Sequence, residues 1–295
     1  MPSLRDLKKR LQSVKTTGQL AGAMRTAATA KYARASGKLT AFAPYAGAAR
    51  ELAALAEAAA DGGRAKPQRK RPRGDEPSAE ATPSKPAIVL LSGNRGLCGG
   101  YNHELFNYFS EVLKRCPEPR MIITCGRMAK EFCEGRGMEL YRSFTLSDVP
   151  TFDEARTIAC ALRELYGAGE VSSVDIVYQR FVNMLKQQPD MRRFLPLTEG
   201  DGEEAEAPEG DTLFIPDAET VRKLLADRFL AIDLYSLLLS CASGAQAATL
   251  MAMRSAYDNA NASAKQLEMS INRLRQAKVT ESVIETSSGP DSKNY

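Results

Sequence analysis

The last quarter of the chain sets the problem that any fold must solve. Between Pro216 and Gly289 there is no proline and only one glycine, Gly244. A 3-4 spacing runs from Leu225, Phe229 and Ile232 through Ser236, Leu239, Ser243, Gln246, Leu250, Met253, Tyr257, Ala260, Ala264 and Leu267 to Ile271 and Leu274. Such a heptad seam predicts one continuous helix with one face laid against a partner. Asp217 is the expected N-cap, and Ser287-Ser288-Gly289-Pro290 is the expected stop. At 1.5 Å per residue this helix would be roughly 105 Å long, wider than an ordinary domain.

A second long helix is predicted over residues 1–60. Ser3-Leu4-Arg5-Asp6 fits a capping box. Leu4, Leu7, Leu11, Val14, Gly18, Ala21, Ala28, Tyr32, Ala35, Leu39, Phe42, Ala46 and Ala49 follow in 3-4 steps, with a drift at Met24 and Arg25. Alanine and glycine dominate this stripe, so a partner helix can come close. Pro44 predicts a kink or a break. Up to Lys38 the segment carries nine basic residues against one acid, Asp6. A basic, acid-poor start also matches a transit peptide.

Between the helices the pattern changes twice. Residues 61–86 are rich in Pro, Gly, Lys and Arg, which predicts a loop; its Lys66–Arg73 cluster reads as a solvated loop or as a nucleic-acid patch. Strands are then predicted at Ile88–Leu91, Met121–Ile123, Leu140–Phe144, Val174–Phe181 and Arg192–Leu197. Helices are predicted at Tyr101–Arg115, Met128–Cys133 and Phe152–Tyr166. This alternation predicts a Rossmann-like α/β domain with a mainly parallel sheet over residues 87–215. Residues 199–211 hold seven acids, which predicts a surface loop, and Leu213-Phe214-Ile215 is expected to add a brief edge strand.

Candidate chemistry is sparse. One histidine, His103, leaves no basis for a triad or a histidine metal site. Six cysteines at irregular spacing, without a CxxC pair, read as reduced thiols. No apolar run approaches the roughly 20 residues that span a bilayer. Ser92-Gly93-Asn94-Arg95-Gly96-Leu97-Cys98-Gly99-Gly100 joins a strand to a helix, where phosphate cradles lie. Its GxxGxxGG spacing is neither a dinucleotide fingerprint nor a Walker loop. It admits two readings, a phosphate cradle or a tight turn that needs φ > 0 and close packing.

The placement of the two helices says more. One leads into the α/β domain and the other leads out, so helices rising from one face would pair antiparallel, the first reaching roughly 85 Å. The second then overshoots by about 20 Å, and its exposed Val279, Val283 and Ile284 need a sleeve of other protein. The basic first helix predicts an acidic surrounding surface. Looser packing is expected at the polar seam positions Ser236, Ser243 and Gln246 than over Leu250–Leu274. The fold class is therefore α/β plus coiled coil: an antiparallel left-handed pair with an inserted α/β domain.

Four separated motifs carry a resemblance. They are Ser3-Leu4-Arg5-Asp6-Leu7-Lys8-Lys9-Arg10-Leu11 with Ser13-Val14-Lys15-Thr16-Thr17 and Ala23-Met24; Arg95-Gly96-Leu97-Cys98-Gly99-Gly100-Tyr101-Asn102; Ala252-Met253-Arg254-Ser255-Ala256-Tyr257-Asp258-Asn259-Ala260; and Asn272-Arg273-Leu274-Arg275-Gln276-Ala277-Lys278-Val279-Thr280. In this order, over nearly the whole length, the chain closely resembles the γ subunits of F-type ATP synthases. The resemblance implies a central rotor without catalytic, cofactor or metal residues of its own. It implies that the helix pair turns within three α and three β subunits, and that the α/β domain sits on the c-ring with the ε subunit. Nucleic-acid binding and direct membrane insertion are not expected. Met24 matches a position that faces the acidic catch loop of the β subunits; Arg275, Gln276 and Thr280 match contacts at the tip. Gly96, Cys98, Gly99 and Gly100 match a structural loop.

The chain departs from the family pattern at Ser282, and where Ala245 and Thr249 stand in place of a Glu and an Arg. The paired-cysteine insert of chloroplast relatives is absent. Because the match begins at Ser3, no transit peptide is expected, and the expected location is the cytoplasmic face of a bacterial membrane. Two other function classes fit parts of the chain: a nucleotide-binding α/β enzyme, and a basic coiled-coil nucleic-acid binder.

Overall fold

The computed structural model of the chain describes residues 3–61, 85–115, 120–196 and 218–288. Asp217, Cys116, the strand expected at 213–215 and the loops 62–73 and 199–211 lie outside the described residues. The elements are α1 (Leu4–Asp61), β1 (Lys85–Leu91), α2 (Tyr101–Arg115), β2 (Met121–Cys125), α3 (Arg127–Gly135), β3 (Leu140–Phe144), α4 (Phe152–Gly167), β4 (Val171–Phe181), β5 (Gln187–Leu195) and α5 (Ala218–Ser288). They form two units, one spanning Ala30–Ala248 and one built from the chain's ends, up to Thr29 and from Thr249.

The larger unit is built on a five-stranded sheet of order β3-β2-β1-β4-β5. All neighbours are parallel except the β4–β5 hairpin. β1 is central, and its residues Ala87–Leu91 are buried without exception. A run apolar on both faces belongs in a sheet covered on both sides, and the side chains divide accordingly. Ala87, Val89 and Leu91 join Ile123, Ile176, Leu162 of α4 and Leu234 and Leu238 of α5. Ile88 and Leu90 join Leu105 and Phe109 of α2, Ala129 and Cys133 of α3, and Val177. α4 opens with a capping box: Glu154 N–H donates to Thr151 Oγ1 at 3.3 Å, and Thr151 N–H donates to Glu154 Oε2 at 2.6 Å. β5 begins five residues earlier than the pattern predicts and returns antiparallel, because the turn at 182–186 is short.

α5 departs from the expected seam in this unit. From Leu230 to Cys241 only Ser236 and Ser240 escape burial, so the helix is enclosed on every side. A helix apolar all round is a core helix rather than one strand of a zipper. The sheet and α4 cover one side, and Leu39 and Phe42 of α1 pack against the same core. Phe42 meets Tyr235 edge-on, with centroids 4.8 Å apart. Ser243 is wholly buried, while Ser236 and Gln246 are half-buried, as are most seam positions from Leu250 to Leu274. By composition α5 also includes a stretch long and apolar enough to cross a membrane, contrary to the reading from runs alone. Leu230–Cys241 of that helix are spent on the core.

In the smaller unit the sequence seam is visible. On α5, Leu250, Met253, Tyr257, Ala260, Ala264, Leu267, Ile271 and Leu274 are each buried or half-buried, with exposed residues between them. On α1, Leu4, Leu7, Leu11, Val14, Gly18, Ala21 and Ala28 form the matching stripe. Asp6 N–H donates to Ser3 Oγ at 3.2 Å and Ser3 N–H donates to Asp6 Oδ2 at 3.2 Å, the expected capping box. Pro44 lies on an exposed face, and the helix continues through it without a break.

Candidate functional site

In a sheet of order 3-2-1-4-5 the connections reverse direction between β1 and β4. The carboxyl ends of those strands form the crevice where open α/β sheets bind ligands. The Ser92–Gly100 loop leaves β1 at this point, so the crevice decides between the two readings of the loop.

The crevice is filled by α5. Tyr101 O–H, at the start of α2, donates to the Cys241 carbonyl at 3.0 Å. Phe181 N–H, at the end of β4, donates to Ser240 Oγ at 3.3 Å, and Cys241 Sγ lies 3.8 Å from the Gln179 carbonyl. Gly244 makes room for this approach: a Cβ there would lie 3.2 Å from Tyr101 Cε2 and 3.4 Å from Gln187 Cγ. A Cβ on Gly93 would lie 3.6 Å from the Cβ of Ala245. Backbone and side chains of α5 thus crowd the carboxyl end of β4 and the start of α2.

The loop serves this packing. Leu97 (φ 62°) and Gly99 (φ 59°) are left-handed, as a tight turn requires, whereas Gly96 is not. Asn94 Nδ2 donates to the Leu146 carbonyl, and Asn94 Oδ1 accepts from Arg127 N–H at 3.2 Å. Ser92 Oγ accepts from Ala129 N–H at 2.7 Å, so the first residue after β1 satisfies a donor in the first turn of α3. Gly126 (φ 97°) is required where these segments cross, since a Cβ would stand 2.3 Å from the Ser92 carbonyl oxygen. Arg95 Nη2 reaches Asp148 at 3.3 Å, and Lys31 of α1 donates to the same carboxylate. The Lys31 hydrogen bond, aided by both cations, holds the Asp148 carboxyl below its usual range.

None of the thiols here is activated. Burial pushes the Cys98 thiol up, pushes Cys241 up to about 12 and raises Cys125 further. Nucleophilic cysteines need the opposite shift. Among the described residues no cluster of His, Cys, Asp or Glu is arranged to hold a metal. Gln179 is wholly buried with both amide atoms unpaired among the described residues, and nothing there offsets the cost.

In the unit built from the chain's ends, the two helices touch through small residues and a few polar contacts. A Cβ on Gly18 would lie 3.2 Å from Ala260 Cβ, and one on Gly22 would lie 3.4 Å from the Tyr257 ring. The Arg25 guanidinium stands 4.9 Å over that ring, and Lys15 pairs with Glu268 at 2.7 Å. Partner numbers fall on α5 as they rise on α1, so the segments run antiparallel. Met24 is half-buried beside this stripe. Arg275, Gln276 and Thr280 are exposed, with Thr280 Oγ1 donating to the Gln276 carbonyl at 3.0 Å. Exposure continues from Arg275 through 287, and Val279, Val283 and Ile284 are each more than half exposed.

The sequence model of the ATP synthase family matches residues 3–292. An ATP synthase gamma chain of Moorella thermoacetica is 32% identical over 292 residues, covering 99% of each chain. The chain belongs to the ATP synthase gamma-chain family. A gamma chain of Mycobacterium leprae is 31% identical over 300 residues, covering 97% of this chain and 96% of its own. Solved structures agree in fold. The rotor of the Euglena gracilis mitochondrial ATP synthase matches with a TM-score of 0.61 at 16% identity, covering 94% of this chain and 98% of that one. The central stalk and c-ring structure from Tetrahymena thermophila matches with a TM-score of 0.59 at 18% identity, covering 80% and 99%.

Sequence reasoning missed the charged residues that join the elements of the larger unit. Asp233, 3% exposed on α5, takes Arg192 of β5 at 3.1 Å and Arg50 of α1 at 3.7 Å. Asp175 of β4 takes Arg120 at 3.2 Å and also Arg193. One signal was available: Asp233 is the only charge between Arg228 and Arg254.

Proposed function

We infer that this gamma-family chain is the non-catalytic central rotor of an ATP synthase, coupling ion movement through a membrane sector to ATP synthesis or hydrolysis on neighbouring subunits. The observation that carries the reading is the match to gamma chains over essentially the whole length of both proteins. The crevice filled by α5 argues against the nucleotide-binding enzyme. The partners are three α and three β subunits around the helix pair, with the ε subunit and the c-ring at the α/β domain. The complex lies on the cytoplasmic face of a bacterial membrane.

The antiparallel stripes support a left-handed coiled coil, as heptad seams favour. The working division of the sequence is into segments 1–60, 61–86, 87–215, 216–289 and 290–295. Met24 is assigned to the β-subunit catch loop, and Arg275, Gln276 and Thr280 to the surrounding ring at the tip. Gly96, Cys98, Gly99 and Gly100 serve as a structural loop rather than a ligand site. Co-purification with a hexamer of α and β subunits tests the reading. Isolation of that hexamer without the chain, or ATP turnover by the chain alone, would overturn it. Met24→Lys should lower ions pumped per ATP more than it lowers assembly; an unchanged ratio removes Met24 from the contact.

A further inference from the structure

A rotor must pass a twist between its α/β domain and its long helices, and an apolar socket does this poorly by itself. Hydrophobic burial is non-directional. Leu230, Leu234, Leu237, Leu238 and Leu239 lie on several sides of α5, and all are buried. A turn of the helix by one residue, about 100°, brings Leu238 and Leu239 to the places of Leu237 and Leu238, and Ala231 and Tyr235 to those of Leu230 and Leu234, one apolar side chain for another. Apolar burial alone therefore separates neighbouring registers of α5 only weakly.

Beside the contacts of Ser240, Cys241 and Gly244 described above, the socket holds one buried charge of α5. Asp233 is 3% exposed, and its Oδ1 accepts from Arg192 Nη1 at 3.1 Å. Arg50 Nη2 approaches the same oxygen at 3.7 Å. A buried carboxylate is tolerated only where it is paired. Rotating or sliding α5 by one residue would carry Asp233 away from both cations and place its charge among the leucines. The three charges come from the sheet edge (β5), α5 and α1, so one carboxylate ties both long helices to the domain. Fixing register is the best attested use of a buried polar group.

We propose that Asp233, held by Arg192 and Arg50, is the register pin that transmits rotation between the α/β domain and helices α1 and α5. The proposal rests on the rotor reading. These are positioning residues, since none touches a reacting atom.

The test separates register from stability. Asp233→Leu alone leaves Arg192 without its partner and should reduce assembly. The double variant Asp233→Leu with Arg192→Met replaces the pair by apolar side chains, which generally preserves stability. In the complete ATP synthase reconstituted into lipid vesicles, this double variant should assemble and hydrolyse ATP. Its ions pumped per ATP hydrolysed should nevertheless fall by roughly half or more, because the helices slip in their socket. The exchange Asp233→Arg with Arg192→Asp should recover part of that ratio. A double variant that pumps at the wild-type ratio, or one that loses pumping only in proportion to assembled enzyme, overturns the pin. Failure of the wild-type chain to assemble with α and β subunits would overturn the rotor reading instead, and the two failures are distinguishable.

Discussion

Gly37→Ala and Gly244→Ala are the same change in the middle of a helix, and the structure assigns them opposite signs. Replacing a mid-helix glycine by alanine stabilises by about 1 kcal/mol through backbone entropy. At Gly37 a Cβ meets nothing within 4 Å, so the whole gain should appear. At Gly244 a Cβ would lie 3.2 Å from Tyr101 Cε2, 3.4 Å from Gln187 Cγ and 3.6 Å from Tyr101 Oη. Tyr101 is 4% exposed and its hydroxyl is held by the Cys241 carbonyl, so the ring cannot retreat without stretching that bond. Overpacking of this kind costs about 1–3 kcal/mol, and a weakened hydrogen bond adds about 0.5–1.5 kcal/mol. Because the entropy gain is common to both variants, it cancels in their difference. Gly244→Ala should therefore be about 2 kcal/mol less stable than Gly37→Ala, and less stable than the parent chain. Urea unfolding of the two variants and the parent, followed by circular dichroism, reads the difference from the midpoints when the slopes agree. Equal stabilisation by both substitutions would refute the claim that α5 fills the crevice at close quarters.

Three further outcomes are expected. Asp148 has a folded-state pKa below its value in the unfolded chain, so its ion cluster contributes stability above the ordinary range near 3.8 and loses it as pH falls through the lowered pKa. Comparing urea midpoints of the parent and Asp148→Asn down the acid range should show their difference shrinking, and a constant difference removes the cluster as its cause. Gly126→Ala should cost about 3 kcal/mol or more, since it combines a Gly-only backbone region with a 2.3 Å clash against the Ser92 carbonyl oxygen; normal soluble yield and an unchanged urea midpoint would contradict this. Cys160, exposed on α4, should be alkylated in the native chain well before Cys98, Cys125, Cys133 and Cys241, which are buried; mass mapping after a short maleimide pulse checks the order.

Much of the fold was legible because its signals are local. The capping box at Ser3 and Asp6 needs only a four-residue window, and β1 and β2 are short apolar runs. The α1 stripe from Leu4 to Ala49 could be read because its partners are small residues at regular spacing. What could not be read was set by distant partners. The seam of α5 looked uniform from Leu225 to Leu274, since a heptad pattern records which residues are apolar and not how many sides are covered. Only the sheet, α4 and the stripe of α1 convert Leu230–Cys241 from one buried face to burial all round. Pro44 brings its own local chemistry, a missing N–H donor and a ring set against the preceding turn, and of the kink or break this predicts, the break does not occur.

The glycine-rich loop shows how the same residues can argue for two functions until one long-range contact is known. Ser92–Gly100 follows the central strand of a doubly wound sheet and leads into a helix, the position of a phosphate cradle. Its spacing leaves the question open, because glycines placed for close backbone approach look alike whether the approaching group is a pyrophosphate or a helix. The deciding residues lie some 140 positions away, where Ser240, Cys241, Gly244 and Ala245 meet Phe181, Tyr101 and Gly93. Once α5 occupies the crevice, the conformational freedom of Gly99 and the bareness of Gly93 and Gly244 have a purpose that needs no ligand. A Rossmann-like sheet is thereby turned into a socket for a helix of its own chain, and chemistry is given up for mechanical attachment.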